Sequence, residues 1–220
     1  MKGMTKWMLA AILLCGTLST QAQIDPQVTQ ILKKCQEKMN DPRGVETTMT
    51  LDVGLVVKIM SGTITTVEKG NKMKAMTTMK IMGKSMTMET GFDGTQQWEY
   101  EHSTNGKGKK DTLFVTKTTQ RPTTEHALNF NLDKVYKTAK AKLNGQFYEL
   151  TFTNPIKKDW PKKQVMKIDK DKYYFNEVKS KEEKSGATMT MKLTKIKIGV
   201  SDEAFKFNPK NYPNAIIIRK

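Results

Sequence analysis

Six methionines, Met73, Met76, Met79, Met82, Met86 and Met88, crowd residues 73–88 of a chain that holds fifteen in 220 residues. Thioethers are soft ligands, and such a run in an exported protein would suit copper(I). The same unbranched, polarizable side chains also fill irregular interiors and line surfaces that adapt to varied apolar ligands. Strand parity separates these readings, because alternate residues point to opposite faces. Met73 and Met79 are expected on one side, Met76 and Met82 on the other. A run split in this way does not converge on one ion, and no metal is assigned. The two histidines, His102 and His126, accompany neither a Gly-x-Ser-x-Gly nor a His-Glu-x-x-His pattern. Acidic residues are scattered without paired spacing. No catalytic residue, cofactor or enzymatic activity is assigned. Trp98 and Tyr100, on one parity, could stack on a ligand or simply fill a core.

These residues must be positioned by strands. In Val45–Ile59, the residues Val45, Met49, Leu51, Val53, Leu55, Val57 and Ile59 share one parity, with only Thr47 breaking it. Period-2 alternation means one dry face and one wet face. A single strand of that length would span ~50 Å, so it is expected to bend at Gly54 and enclose a curve. Further strands follow at 62–69, 73–81, 84–90, 96–102 and 112–118. Later come 135–143 and 146–153 around Asn144-Gly145, then 165–169, 173–179, 188–198 and 204–207, with a last apolar run over 215–219. The spacing is that of an antiparallel meander. Before it, Asp25 and Pro26 start a helix whose stripe is Val28, Ile31, Leu32, Cys35 and Met39, ended by Asn40-Asp41-Pro42. A short helix within 121–131, carrying Leu128 and Phe130, is expected as a lid. The fold class is therefore mainly β with α cover (α+β): a curled antiparallel sheet, N-terminal helix and short lid helix.

The first 22 residues read as a signal peptide. Lys2 and Lys6 precede the apolar run Met8–Leu14, and Thr20-Gln21-Ala22 resembles a cleavage site. Leu14 before Cys15 argues against lipid modification there. Cleavage after Ala22 removes two lysines and lowers the formal charge from +16 to +14. It leaves one domain, 23–220, in the periplasm, without a transmembrane anchor. Export turns that charge away from nucleic acid and toward membrane head groups and acidic surfaces, although dispersed lysines also suit a solvated outer face. Cys35, the remaining cysteine, has no disulfide partner and reads as a small buried apolar residue.

Several motifs, in order, resemble the periplasmic lipoprotein carriers of the LolA type and the wider LolA-like lipoprotein-sorting family. After the exported start, helix and long strand come Phe92-Asp93-Gly94 with Trp98 and Tyr100. Tyr148-Glu149-Leu150-Thr151-Phe152 with Pro155 follows, then Ile168-Asp169-Lys170 and Phe205-Lys206-Phe207-Asn208-Pro209. The resemblance implies an unclosed barrel with helices over an apolar cavity for acyl chains. It implies a monomeric carrier of lipoprotein acyl chains or other lipids to the outer membrane, meeting transfer partners at the inner and outer membranes. The groove would be lined by Met49, Leu51, Val53, Leu55, Val57, Trp98 and Tyr100, with Leu128 and Phe130 on the lid. Where the family places a lid-latching arginine, this chain has Lys74, a less directional donor. A lipid-sensing or scaffold module of the envelope is the alternative, followed by a methionine-rich copper binder.

Overall fold

The computed structural model describes residues 23–55, 57–103, 111–122, 132–158, 160–182 and 185–219. The expected signal peptide and the lid residues Leu128 and Phe130 lie outside these residues, as does His126.

The described strands form one curled, unclosed sheet. In chain order they are β1 (Gln23–Ile24), β2 (Val45–Gly54), β3 (Lys58–Lys69), β4 (Lys72–Ile81), β5 (Lys84–Phe92), β6 (Gln96–Ser103), β7 (Thr112–Lys117), β8 (Tyr136–Asn144), β9 (Phe147–Pro155), β10 (Lys163–Asp169), β11 (Phe175–Lys181), β12 (Thr188–Ile198) and β13 (Ile216–Arg219). Their spatial order is β1-β8-β9-β10-β11-β12-β2-β3-β4-β5-β6-β7-β13. Neighbours are antiparallel except at the two edges, where β1 joins β8 and β13 joins β7 in parallel. The junction of β12 with β2 brings the last long strand against the first and curls the sheet on itself.

The helix α1 (Pro26–Met39) starts and stops where the sequence places it. Asp25 Oδ1 accepts from the Gln27 amide at 2.9 Å, and the Asn40 amide closes the last turn on the Gln36 carbonyl. Its buried stripe, Val28, Ile31, Leu32, Cys35 and Met39, packs on Met49, Leu51, Ile64, Leu150, Phe152, Met166, Ile168 and neighbours. This is the inner face of the curl. Burial removes the Cys35 thiol from water and pushes its pKa up to about 12.

The long first strand is corrected. It ends at Gly54, the chain turns with Leu55 N donating to Val57 O at 3.1 Å, and β3 begins at Lys58. Register confirms the turn, with Gly54 opposite Lys58 and Val53 opposite Met60. Leu55 and Val57 continue the strand's parity past its end, but they occupy a hairpin tip. A second correction concerns 204–207, where Asp202–Phe205 forms a 3₁₀ helix. The strand expected over 84–90 runs on through Gly91 to Phe92 as β5.

Candidate functional site

Cross-strand register arranges the inner face in rows. One row runs Met191, Leu51, Gly62, Met79, Met86 from β12 to β5. The next row toward the β2–β3 turn holds Met189, Val53 and Met60, and the next row away from it holds Leu193, Met49, Ile64, Thr77 and Met88. Met49, Leu51 and Ile64 are buried beneath α1. Val53, Met60, Met79, Met86, Met88 and Met189 are half-buried. The core therefore grades from a filled centre into a partly uncovered strip dominated by thioether side chains.

Gly62 widens that strip. A Cβ there would stand 2.6 Å from the Thr78 carbonyl oxygen and 3.2 Å from Met79 Cγ, so only a residue without a side chain lets Met79 lie close over β3. Four of the six clustered methionines, Met73, Met79, Met86 and Met88, face inward. Met76 faces out, 42% exposed, and Met82 stands in the β4–β5 turn. Met73 and Met79 thus oppose Met76 as parity expects, whereas Met82, expected beside Met76, leaves the strand for the turn. Met86 and Met88 join Met73 and Met79 because β4 and β5 place their separate alternations in phase. Farther along the same face, Gln97, Glu99, Phe114 and Thr116 line a shallow hollow of about 210 Å³. Its polar lining suits no long apolar ligand.

Trp98 and Tyr100 lie on the opposite, outer face. They form a second core with Leu113, Val115 and Tyr212, and Phe207 and Ala215 pack against it. Trp98 and Phe207 ring centroids are 5.4 Å apart, those of Tyr100 and Tyr212 5.0 Å. At its centre sits the buried carboxylate of Glu89. Trp98 Nε1 donates to it at 2.9 Å, Tyr212 Oη donates to the same oxygen, and Lys74 Nζ lies 3.1 Å away. Burial, then the bond to Glu89, pushes the Tyr212 phenol up. Beside it, Tyr100 Oη donates to Asp111 Oδ2 at 2.9 Å and His102 Nδ1 lies 2.8 Å from Asp111 Oδ1. The His102 contact holds the Asp111 carboxyl low, while burial and then Asp111 push the Tyr100 phenol up to about 12. The cluster clamps the C-terminal segment to the sheet.

Of the residues expected to line a groove, the structure brings together Met49, Leu51 and Val53. Leu55 and Val57, 54% and 71% exposed, stand off the inner face at the hairpin tip. Trp98 and Tyr100 point away because β6 enters the sheet with its aromatic parity outward. Lys74, expected as a lid latch, is on the outer face and paired to Glu89. Sequence reasoning missed Met60, Gly62, Met189 and Met191 as inner-face residues. The alternation Thr188-Met189-Thr190-Met191 carried the signal for two of them.

No family model matches the sequence, and no curated protein matches it. Among solved structures, an uncharacterized conserved protein of Thermus thermophilus is similar with a TM-score of 0.56 at 11% identity, covering 88% of this chain and 99% of that one. A LolA superfamily protein of Nitrosomonas europaea has a TM-score of 0.33 at 11% identity over 82% and 97% of the two chains. The Mycobacterium tuberculosis lipoprotein LppX has 0.48 at 8% identity over 80% and 98%. At such identities the likeness is one of fold. Among the described residues no helix is long and apolar enough to cross a membrane. Among the described residues the chain forms a curled, unclosed, largely antiparallel sheet with an α-helix on its inner face, and it shares its fold with the Thermus thermophilus protein.

Proposed function

We propose that this protein is an envelope carrier that holds acyl chains on the inner face of its sheet. The single observation that carries the reading is the half-buried strip Val53, Met60, Met79, Met86, Met88 and Met189 beside the core under α1. An acyl chain gains ~0.8 kcal/mol per buried CH₂ and needs a dry, deformable trough more than polar anchors. Methionine supplies that deformability. In this reading residues 1–22 are a cleaved signal, residues 23–220 act as one periplasmic domain, and the monomer passes lipid between inner- and outer-membrane partners. Lipid extraction from the protein purified from its own envelope, followed by mass spectrometry, is expected to yield acyl lipids at near-stoichiometric amounts. Recovery of none rejects the reading.

A second reading rests on Met79 standing directly opposite Met86. Two thioethers paired on one face suit a soft cation such as copper(I). Titration of copper(I) against a competing chelator, repeated with Met79→Leu and Met86→Leu, decides it. Tight binding that both substitutions abolish would favour it.

A further inference from the structure

The hairpin turns at one end of the sheet carry apolar side chains where turns ordinarily carry polar ones. The β2–β3 turn exposes Leu55 at 54% and Val57 at 71%, the β4–β5 turn exposes Met82 at 85%, and the β9–β10 loop exposes Ile156 at 57%. Strand directions and register put all of them on one rim. Gly54 pairs with both Lys58 and Thr188, Ile81 pairs with Lys84, and Lys163 pairs with both Thr153 and Lys181. Neighbouring segments of the rim lie close: Met82 N donates to Ile59 O, at the start of β3, at 3.3 Å, and a side chain at Gly186 would meet Leu55 Cδ2 at 3.8 Å.

Met82 has a φ of +47°, in the region that favours glycine or asparagine. A large apolar side chain is thus held in the open on a backbone that disfavours it. At the opposite end of the sheet, Leu143 is the large apolar side chain exposed among the described residues of the turns and adjoining strand ends.

Lysines surround the apolar tips. Exposed Lys80 and Lys84 flank Met82, exposed Lys157 and Lys158 follow Ile156, and exposed Lys163 stands opposite exposed Lys181. Among the described residues of these turns and their strand ends, the acids are Asp52, ion-paired to Lys58 at 2.7 Å, and Glu182, which accepts from Ser185. Apolar tips ringed by cations match the interface of an anionic bilayer. There side chains enter the headgroup boundary while lysines meet phosphates.

We propose that this rim docks on an anionic membrane surface. Leu55, Val57, Met82 and Ile156 enter the interface, and the surrounding lysines hold the headgroups. Val53, Met60, Met79 and Met86 lie in the two rows next to this rim, so docking turns the methionine strip toward the bilayer. That use for cargo transfer rests on the carrier reading; the docking surface itself does not.

The test is sedimentation of the purified processed protein with phosphatidylglycerol–phosphatidylcholine vesicles, against pure phosphatidylcholine vesicles. Binding is expected to the anionic vesicles only, and to weaken with added salt. Lys157→Glu combined with Lys158→Glu is expected to weaken it by about tenfold or more. Val57→Asp combined with Met82→Asp is expected to do the same with an unchanged Tm, since both sites are exposed. Fluorescent fatty-acid binding should be unaltered in either pair. Failure to sediment with anionic vesicles, or sedimentation that neither pair weakens, overturns the proposal. Fatty-acid binding without sedimentation would leave the carrier reading standing and give the rim to a protein partner. Sedimentation without fatty-acid binding would keep the docking surface and reject the carrier.

Discussion

The indole of Trp98 lies across Gly91, its direct partner on β5, so closely that a Cβ at residue 91 would stand 2.0 Å from Trp98 Cζ2. The outer-face core depends on that missing side chain. Trp98 can reach Glu89, and Glu89 can hold Tyr212, only because the ring lies flat over a bare backbone. Gly91→Ala should therefore lower stability by about 1–3 kcal/mol, the usual cost of overpacking. Thermal unfolding checks this, and an unchanged Tm would show that the indole has room to move.

Glu89→Gln keeps the shape of the side chain and removes its charge. Breaking a buried ion pair costs about 3–5 kcal/mol, but Lys74 keeps 26% of its side chain in water. A loss of about 1–3 kcal/mol is expected after that screening. Hydrogen exchange should quicken around Phe205–Ala215, which Tyr212 anchors, and stay unchanged in α1, which packs on the other face.

Asp93 organises the β5–β6 turn. Its Oδ1 accepts from the Thr95 amide at 2.9 Å, the Thr95 hydroxyl at 2.8 Å and the Gln96 amide at 2.9 Å. Burial raises the pKa of this carboxyl, but the donors of Thr95 and Gln96 outweigh it and hold the group below its ordinary value. A depressed folded-state pKa gives stability that is complete above the unfolded value of about 3.9 and is lost as pH falls through the folded value. Asp93→Asn should cost about 1 kcal/mol at neutral pH. The gap between variant and parent should close in acid. Unfolding followed by circular dichroism across that range tests the convergence.

Cys35 should not react with thiol reagents in the folded protein at neutral pH, because burial suppresses the thiolate that does the chemistry. Labelling should appear in denaturant, together with loss of helix signal. Fast labelling of the native chain would mean that α1 lifts from the sheet.

Much of this architecture is legible in the sequence where the relevant signal is local. Alternation from Val45 to Val53 is enough to assign the inner face of β2, and the 3.6-residue spacing of Val28, Ile31, Leu32, Cys35 and Met39 is enough for α1. The turn at Leu55–Val57 is hidden because its apolar tip keeps the strand's parity. An apolar count cannot distinguish a strand from a turn built to be apolar. The face taken by Trp98 is hidden for another reason. Parity links Trp98 to Tyr100 and His102, but only the pairing of β6 with β5 decides which side they share. This sheet is dry on both sides, under α1 on one and under Phe207 and Tyr212 on the other. Inner-face methionines from β3, β4, β5 and β12 meet through pairings that no single stretch of sequence contains.

Met76 and Met79 sit three residues apart on β4 and face opposite sides, which allows one direct test of acyl binding on the inner face. Displacement of a fluorescent fatty acid should be measured on the parent protein, on Met79→Glu and on Met76→Glu. A carboxylate at residue 79 would be desolvated by cargo and should weaken binding by about tenfold or more. The same change at residue 76, which faces out and is 42% exposed, should leave binding unaltered, with Tm nearly constant in both. Parent-level binding by Met79→Glu, or equal losses in the two variants, would contradict an acyl-chain site on the inner face.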